Sequence, residues 1–397
     1  MAGEEKPYRV YRSGRGKGKL PRLPSRGGVP EQPAKGSEPA TLAGKGRTPL
    51  RRRYRLWFAV GLGLVLLFGT AWALASYFSF RDGVERANAR LPDSVRAGLT
   101  DQDGFLLTHS TTVLLLGTDH ADRAAGRSDL RHSDSIMVVR TDPDHHRIYY
   151  LSIPRDLYVS IPGVGSGRIN AAFQAGGAAL SLRTVRELTG LPVNHIVVVD
   201  FSQFMKLIDK IGGIEIDVPE RIESNRFDCP LKTSVECAQW TGWRFAKGRQ
   251  HMDGRRALVY SRVRENRLNP ADDDITRAER QQGVLQAIAG KLASVGTFLD
   301  LPAIGGDLLA PLATDLSTDE FLELGWVYWR SGSGRAVHCR LGGESDSVRG
   351  SSVIMPNEDN RAAIAMFKGE SAPQPPPPGS GTFGPGCVVG RRTLGAR

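Results

Sequence analysis

The fold of this chain is organised around residues 151–159, which read LSIPRDLYV. Residues 148–153 are almost all apolar, β-branched or aromatic, and they predict a strand. Pro154 cannot donate a hydrogen bond to a neighbouring strand, so the strand should end there. Arg155 and Asp156 would then lie at the carboxyl end of a strand, where open α/β sheets place their ligands. The alternative for these two residues is a surface ion pair, which contributes little stability.

A second arginine follows a glycine-rich turn. Residues 165–170 read GSGRIN, and the glycines predict a tight reversal of the chain. This reversal could bring the guanidinium of Arg168 alongside that of Arg155. Two positive charges would then lie at the same end of the predicted strand.

Two further strands are predicted upstream of this stretch. Residues 112–116 form a continuous apolar run closed by Gly117, which predicts a fully buried strand. Residues 135–140 predict a second strand. The polar and charged residues 120–133 between them predict a loop at the rim of the sheet.

Asp119 and Asp134 flank this predicted loop and could converge. Mg²⁺ is commonly held by one or two carboxylates together with substrate phosphates, and this pair could supply those carboxylates. The alternative is that both are solvated loop residues.

Helices and strands alternate in the next part of the chain. Helices are predicted at 180–189, ended by Gly190, and at 201–211, and strands at 196–199 and 214–218. Phe201, Phe204 and Met205 are interpreted as core residues rather than ligand contacts. The alternation predicts an α/β fold with one mixed central sheet and helices on both faces.

A second charged cluster occupies residues 260–282. If its first part is extended, Arg262 and Arg264 point to the same side, because side chains in a strand repeat every two residues. The cluster continues into a helix that begins at Asp274.

At 100° per residue, Arg277 and Gln281 share the apolar face of this helix, whereas Arg280 lies at the edge of that face. A buried charge needs a partner. Either Asp274 neutralises Arg277 as a structural pair, or the polar residues line a ligand pocket.

The net charge of +11 comes from the N-terminal tail. Residues 1–55 contain 15 Lys and Arg against 4 Asp and Glu, and the 38 basic and 38 acidic residues that follow cancel. The tail is rich in Gly and Pro without apolar periodicity, so it should be disordered. It could touch DNA or an anionic membrane surface, but no nucleic-acid-binding motif accompanies it and no nucleic acid is expected as a partner.

Residues 56–80 predict a transmembrane helix. They contain 25 residues without a charge, and at about 1.5 Å per residue they can cross a hydrocarbon core of roughly 30 Å. The arginines at 51–53 and Arg55 should stay in the cytoplasm, so the chain after Arg81 should be extracellular. A cleaved signal peptide is the alternative, because residues 73–75 read ALA and resemble a cleavage site.

The four cysteines all follow the predicted membrane helix, where an oxidising compartment favours disulfides. Proximity in the sequence favours Cys229 with Cys237 and Cys339 with Cys387 among the three possible pairings. A zinc site is disfavoured, because neither CxxC nor a pair of histidines at ligand spacing is present.

Together these motifs resemble the LytR-CpsA-Psr family. The residues that carry the resemblance span 111–292 in one order: Gly117-Thr118-Asp119, Ser133-Asp134-Ser135, Ser152-Ile153-Pro154-Arg155-Asp156, Arg168-Ile169-Asn170, Asp253-Gly254, Ala257-Leu258, Arg262-Val263-Arg264 and residues 274–282, DITRAERQQ. The tail, the single membrane helix and the outer domain are also what the family shows.

The resemblance implies an enzyme that transfers a glycopolymer from a polyprenyl-pyrophosphate carrier to peptidoglycan through a phosphodiester. It implies Mg²⁺ or Mn²⁺ at Asp119 and Asp134, and catalytic roles for Asp119, Arg155 and Arg277. The residues expected to bind the pyrophosphate are Arg155, Arg168, Arg262, Arg264, Arg277 and Gln281. Three aspartates, 272–274, stand where such chains commonly have one, and the choice of Asp274 rests on its spacing to Arg277.

Two other functions stay open. A polyprenyl-pyrophosphate hydrolase would use the same residues with water as the acceptor. A membrane-anchored regulator would act through the basic cytoplasmic tail.

The predicted organisation therefore runs from the membrane outwards. The segments are a cytoplasmic tail at 1–55, a transmembrane helix at 56–80, a stalk at 81–110, the catalytic domain at 111–292, an extension at 293–370 and a Pro/Gly-rich tail at 371–397 tied by a disulfide. Within the extension, a capping box between Ser317 and Glu320 predicts a helix and residues 337–341 predict a strand. Residues 388–397 are expected to be a loose end.

Overall fold

The computed structural model describes residues 50–119, 132–227, 229–231, 233–263, 265–269, 274–292, 294–331, 335–381 and 383–390. The helices are α1 (Leu50–Ala89), α2 (Asp93–Arg96), α3 (Ala171–Thr189), α4 (Phe201–Lys210), α5 (Ser234–Gln239), α6 (Gly254–Arg262), α7 (Asp274–Leu292), α8 (Val295–Ile304), α9 (Thr318–Ser331) and α10 (Asp359–Lys368). The strands are β1 (Thr112–Asp119), β2 (His132–Asp142), β3 (Arg147–Ile153), β4 (Tyr158–Ile161), β5 (Gly165–Arg168), β6 (His195–Asp200), β7 (Ile214–Val218), β8 (Ile222–Glu223), β9 (Arg244–Phe245), β10 (Gly248–Met252), β11 (Leu312–Thr314), β12 (Val337–Arg340), β13 (Gly343–Val348), β14 (Ser351–Pro356) and β15 (Gly386–Val389).

The chain divides into two compact units, Met1–Gly61 and Leu62–Arg397. In the first unit the structure describes residues 50–61, the start of α1. The other described residues belong to the second unit, which contains the sheet and the candidate site.

The second unit is built on a mixed sheet in the order β11-β6-β1-β2-β3-β12-β15. The pairs β1/β6 and β3/β12 are parallel, and the other neighbours are antiparallel. The predicted mixed α/β fold is confirmed.

Helices cover both faces of this sheet, as its continuous apolar strands require. On one face Leu114 and Leu116 of β1 share a core with α3 and α10. On the other face Val113 packs with Val197 and with Phe321 of α9. A separate core joins the two-stranded antiparallel sheet of β7 and β10 with α4, α6 and α7.

The predicted strands at the centre of the sheet are confirmed, and β3 ends at Ile153 immediately before Pro154. The strand β2 begins at His132, so Ser133 belongs to a strand and not to the predicted loop, whose residues 120–131 lie outside the described part of the chain. The helix α3 begins at Ala171, nine residues before the predicted start at 180. The first part of the helix was not predicted because Gly176 and Gly177 have non-helical backbone angles that interrupt its periodicity.

The chain end was predicted incorrectly in one respect. Residues 388 and 389 are not loose, because β15 pairs antiparallel with β12 and places Val388 opposite His338. The strand is also held covalently, since Cys387 lies opposite Cys339 and is bonded to it. Residues 391–397 lie outside the described part of the chain.

Both predicted disulfides are present, and the loops they close differ in length. The separation is 8 residues for Cys229–Cys237 and 48 for Cys339–Cys387. Replacing the cysteines by alanine should therefore lower the free energy of unfolding by about 2.5 and about 4 kcal/mol respectively, because a longer loop restricts the unfolded chain more. Urea unfolding of each double variant measures this difference. A free thiol at any of the four positions in non-reducing peptide mapping would contradict the pairing.

The helix α1 is long and apolar enough to cross a membrane, which fits a single-pass anchor. Most charge-free residues of α1 that belong to the second unit are exposed, for example Leu66 and Phe68. Beyond the charge-free run the same helix continues, and Val84 and Ala87 are buried against Leu309. The boundaries of the predicted tail, stalk and catalytic domain stay predictions.

Candidate active site

A cavity of about 680 Å³ lies between the sheet and the helices α4, α6, α7 and α9. Its walls combine many apolar side chains with a few charged and polar ones. The lining residues are Leu115, Leu116, Gly117, Ser135, Met137, Tyr150, Arg155, Val197, Val199, Phe201, Phe204, Asn225, Phe227, Leu258, Ser261, Arg262, Glu265, Arg277, Gln281, Val284, Leu285, Gln286, Leu312 and Tyr328.

The cavity has an apolar part and a charged end. The order of the lining residues along the strands shows where each of them lies. Along β1 the wall passes from Leu115 to Gly117, and along the neighbouring β2 it passes from Met137 to Ser135. The same edge of the sheet is where Arg155 follows β3. Arginines therefore line the end of the cavity next to the loops, and aliphatic and aromatic side chains line the rest.

The arginine after β3 is held by a hairpin. The chain runs out along β4 and returns along β5, so that the amide of Asn170 donates to the carbonyl oxygen of Arg155 at 3.2 Å. Asp156 lies between the two guanidiniums, 3.5 Å from Nε of Arg155 and 3.5 Å from Nη1 of Arg168. The predicted approach of Arg168 to Arg155 is confirmed, and Arg155 lines the cavity rather than only forming a surface pair.

The condition under which Arg262 and Arg264 would share a side, an extended chain, is not met at Arg262. Arg262 is the last residue of α6, which begins after Asp253, whose side chain accepts from the amide of Arg256 at 2.7 Å. The segment is helical because Asp253 caps it and Ala257 and Leu258 bury its inner face. Arg264 lies outside the described residues.

The helix still brings Arg262 to the site. Its guanidinium carbon lies 5.6 Å from the ring centroid of Phe201, a distance at which a cation is attracted to an aromatic face. Both residues line the cavity.

The helix α7 begins at Asp274, and Arg277 and Gln281, which the periodicity places together on its apolar face, both line the cavity. Arg277 is only 8% exposed. Gln281 connects two neighbours, because its Oε1 accepts from Ser135 and its Nε2 donates to the carbonyl oxygen of Ser261, both at 3.4 Å. The side chain of Asp274 lies outside the described part, so its pairing with Arg277 stays a prediction.

Arg280, which the periodicity places at the edge of the apolar face, is only 5% exposed. The chain that follows α6 covers this side of α7. As a result Nη2 of Arg280 donates to the carbonyl oxygen of Val263 at 2.7 Å.

The backbones of the two predicted metal ligands lie on neighbouring strands. Gly117 is opposite Ser135 and Thr118 is opposite Ser133, so Asp134 is the extra residue of a β-bulge, and Asp119 ends β1 next to it. Bulges commonly re-aim a side chain beside an active site. The side chains of Asp119 and Asp134 are not among those described.

The donor atoms at this place suit Mg²⁺, a hard cation that prefers oxygen ligands. Asp119 and Asp134 would supply carboxylates, and Ser133 and Ser135 next to the bulge carry hydroxyls. Among the side chains that the structure describes, no group of three or more His, Cys, Asp or Glu could hold a metal ion.

Most of the apolar wall is not predictable from the sequence. Phe201 and Phe204 were interpreted as core residues, yet both line the cavity. The periodicity of an apolar helix face is the same whether it packs on a core or on a cavity, so no sequence signal separates the two. Glu265, which lines the charged end, was also missed because it belongs to no motif.

Tyr150 and Tyr328 line the apolar part of the cavity. Burial raises the pKa of Tyr150 well above its ordinary value, and the charge of Tyr328 adds to the shift. Tyr150 therefore stays protonated at working pH and presents a neutral surface to the cavity.

Behind Tyr150, the ring of His338 stacks on it at 5.2 Å between centroids, and burial lowers the pKa of His338 to about 4. Between pH 6.5 and about 4, His338 is protonated in the unfolded chain but neutral in the folded chain. Stability should therefore fall as the pH is lowered from about 6.5 towards about 4, with a contribution from this histidine of about 1–3 kcal/mol.

Replacing His338 by Phe keeps an aromatic ring but removes this titration. Denaturant unfolding of the purified chain in detergent micelles at several pH values should then show a flatter profile below pH 6.5. An unchanged profile would contradict the assignment.

Comparisons of sequence and of structure with known proteins both lead to one family. The model of the LytR_cpsA_psr family matches residues 85–366. The polyisoprenyl-teichoic acid–peptidoglycan teichoic acid transferase TagU of Enterococcus faecalis is 31% identical over 287 residues, which cover 72% of this chain and 87% of that protein. TagU of Bacillus mycoides is 27% identical over 279 residues, covering 69% and 83%. The crystal structure of B. subtilis TagV has a TM-score of 0.51 at 25% identity, covering 66% of this chain and 97% of that one.

Proposed function

Because this chain belongs to the LytR-CpsA-Psr family, we propose that it transfers a glycopolymer from a polyprenyl-pyrophosphate carrier to peptidoglycan and joins the two by a phosphodiester. One observation carries this proposal: a single cavity has an apolar wall and several arginines at one end. The TagU relatives are polyisoprenyl-teichoic acid–peptidoglycan teichoic acid transferases, which belong to the same class of enzyme.

The cavity suits the two parts of such a carrier. An apolar prenyl chain gains free energy by leaving water for the wall formed by residues such as Leu115, Val197 and Phe204. The anionic pyrophosphate matches the guanidiniums of Arg155, Arg262 and Arg277 at the charged end. Arginine suits this role because its rigid fork can bind two phosphate oxygens and it does not lose its charge at working pH.

The reaction needs positioning and charge neutralisation more than covalent participation of the protein. A hydroxyl of peptidoglycan attacks the phosphorus that carries the glycan and releases its proton to solvent. The bond from this phosphorus to the bridging oxygen breaks, and prenyl phosphate leaves with the bonding electrons. Arg155 and Arg277 would stabilise the charge that develops on the phosphate oxygens, and Arg168 would support them through Asp156.

Mg²⁺, or Mn²⁺ in its place, completes the proposed site. Asp119 and Asp134 would hold the ion at the bulge between β1 and β2. When bound, it would neutralise part of the pyrophosphate charge. Asp274 would neutralise Arg277 from the first turn of α7.

We further propose that the N-terminal tail is cytoplasmic and the catalytic domain is extracellular. The arginines at 51–53 precede the apolar run of α1, and basic flanks stay on the cytoplasmic side. The two disulfides support this orientation, because they persist in oxidising compartments.

The test is an assay of the full chain in detergent with a labelled polyprenyl-pyrophosphate glycan, with and without peptidoglycan. Transfer predicts label in the peptidoglycan and release of prenyl phosphate only when the acceptor is present. Release of glycan phosphate at the same rate without acceptor would instead identify a hydrolase. A regulator acting through the tail would lose its effect when residues 1–49 are deleted, whereas the transfer rate should be unchanged.

A further inference from the structure

The short helix α8 is apolar but packs little against the protein. Its sequence is VGTFLDLPAI, with one charged residue, Asp300, and Thr297 is its one buried residue. Val295 is 77% exposed and Leu299 is 57% exposed, and Phe298 is exposed as well. Several large apolar side chains together on a surface commonly mark a place that contacts a partner or a membrane.

This helix lies beside the candidate membrane anchor. The ring of Trp72 on α1 lies 4.2 Å from the ring of Phe298, and its Nε1 donates to the carbonyl oxygen of Leu299 at 3.2 Å. Seven residues further along α1, the hydroxyl of Ser79 accepts a hydrogen bond from the amide of Gly306 at 3.1 Å. The contacts thus continue past the end of α8.

All of these contacts fall inside the charge-free run of α1. Phe80 is the last residue of that run, and Trp72 precedes it by eight residues, which is about 12 Å along a helix. A segment beside Trp72 is therefore at the level of the apolar part of the anchor and not of its charged continuation.

We propose that α8 is inserted into the bilayer interface, in the leaflet that faces the domain, where Val295, Phe298 and Leu299 contact phospholipid acyl chains. Interfacial helices of this kind bury an apolar face about 5–10 Å below the headgroups. The contacts of this segment with α1 extend from Ser79, at the end of the charge-free run, to Trp72, and so include this range of depths. α8 contains no Lys or Arg. Its binding should accordingly not require anionic lipid.

The position of α8 also concerns the cavity, and this part of the inference rests on the proposed function. Leu285 of α7 lines the cavity and is exposed, and the segment Val295–Asp307 is bent by 84° from the end of α7. After α8 the chain returns to Leu312, which also lines the cavity. Two of its wall segments thus lead directly to α8, so a prenyl chain can pass from the bilayer into the cavity without crossing water.

The insertion is tested with a nitroxide label on a Leu299→Cys variant of the full chain in phosphatidylcholine nanodiscs. All four natural cysteines are in disulfides, so the new thiol is labelled selectively. The control is Val164→Cys in the β4/β5 turn, which is equally exposed at 58%. The ratio of relaxation by oxygen, which dissolves in the bilayer, to relaxation by a water-soluble nickel complex should be several-fold higher at 299 than at 164. Equal ratios at both positions would overturn the proposal.

A second labelled position tests whether the label itself disturbs the helix locally. Val295→Cys should give the same result as Leu299→Cys.

The passage of the carrier is tested separately with Leu299→Asp. This variant should lose most transfer from a long-chain carrier embedded in vesicles and keep transfer from a short-chain, water-soluble carrier. Equal loss with both carriers would overturn the direct passage. If neither carrier reacted with the unaltered chain, the proposed function would fail, and the labelling would still decide the insertion.

Discussion

Replacing Arg277 by Lys is expected to lower the rate of transfer by about ten- to a hundredfold. Lysine keeps the positive charge but loses the fork that binds two phosphate oxygens at once, and a charge-assisted hydrogen bond contributes about 1.5–3 kcal/mol. Arg277 is 8% exposed and lines the charged end of the cavity. The change should also lower stability, because a smaller group would replace the buried guanidinium. Rates per folded molecule, with the folded fraction taken from thermal melts, measure the two effects separately.

Arg280 provides a matched control on the same helix. It is as deeply buried as Arg277, at 5% exposure, but its Nη2 donates to the backbone of Val263. Arg280→Lys should therefore lower the melting temperature while the rate per folded molecule stays close to that of the unaltered chain. If both variants lost activity only in proportion to their folded fraction, the arginines of α7 would be structural and the pyrophosphate would bind elsewhere.

The site could be predicted from the sequence where a local rule determined the geometry. Pro154 ends β3 because it lacks an amide hydrogen, and this alone places Arg155 at the edge of the sheet. Helical periodicity likewise placed Arg277 and Gln281 on one face, since both lie in the same continuous helix, α7.

The prediction failed where distant parts of the chain decide the conformation. Residues 260–262 can be read as extended, and they are helical because Asp253 caps α6 and a neighbouring core buries Ala257 and Tyr260. The burial of Arg280 has a similar origin, because the chain after α6 covers one side of α7. Neither effect is visible in a window of a few residues.

The apolar half of the cavity was missed for a different reason. Phe201 and Phe204 occupy positions that periodicity assigns to the interior, and they do face the interior. Whether the space they face is filled by other side chains depends on volumes contributed by the sheet, α7 and α9 together. Hydrophobic patterning reports only that a face avoids water.

Replacing Asp119 by Ala is expected to abolish metal-dependent transfer while the fold stays intact. Its backbone ends β1 beside the bulge that contains Asp134, so the change removes one of the two carboxylates proposed to hold Mg²⁺. Loss of a bound ion removes several kcal/mol of charge stabilisation in the transition state, so the rate should fall at least about a hundredfold. A residue at the rim of the sheet contributes little to the core, so the melting temperature without metal should hardly change.

Binding of the ion can be measured apart from activity, because a ligand that binds only the folded chain raises its melting temperature in proportion to the logarithm of its concentration. Mg²⁺ should stabilise the unaltered chain in this way and should not stabilise the Asp119→Ala variant. Asp142→Asn is the control, since Asp142 is on β2 at the end away from the bulge, where it accepts from the amide of His145 at 3.2 Å. This variant should keep both the metal response and the transfer rate. Full activity of Asp119→Ala would show that the carboxylate at the end of β1 holds no ion that the reaction needs, and the arginines would then have to neutralise the pyrophosphate alone.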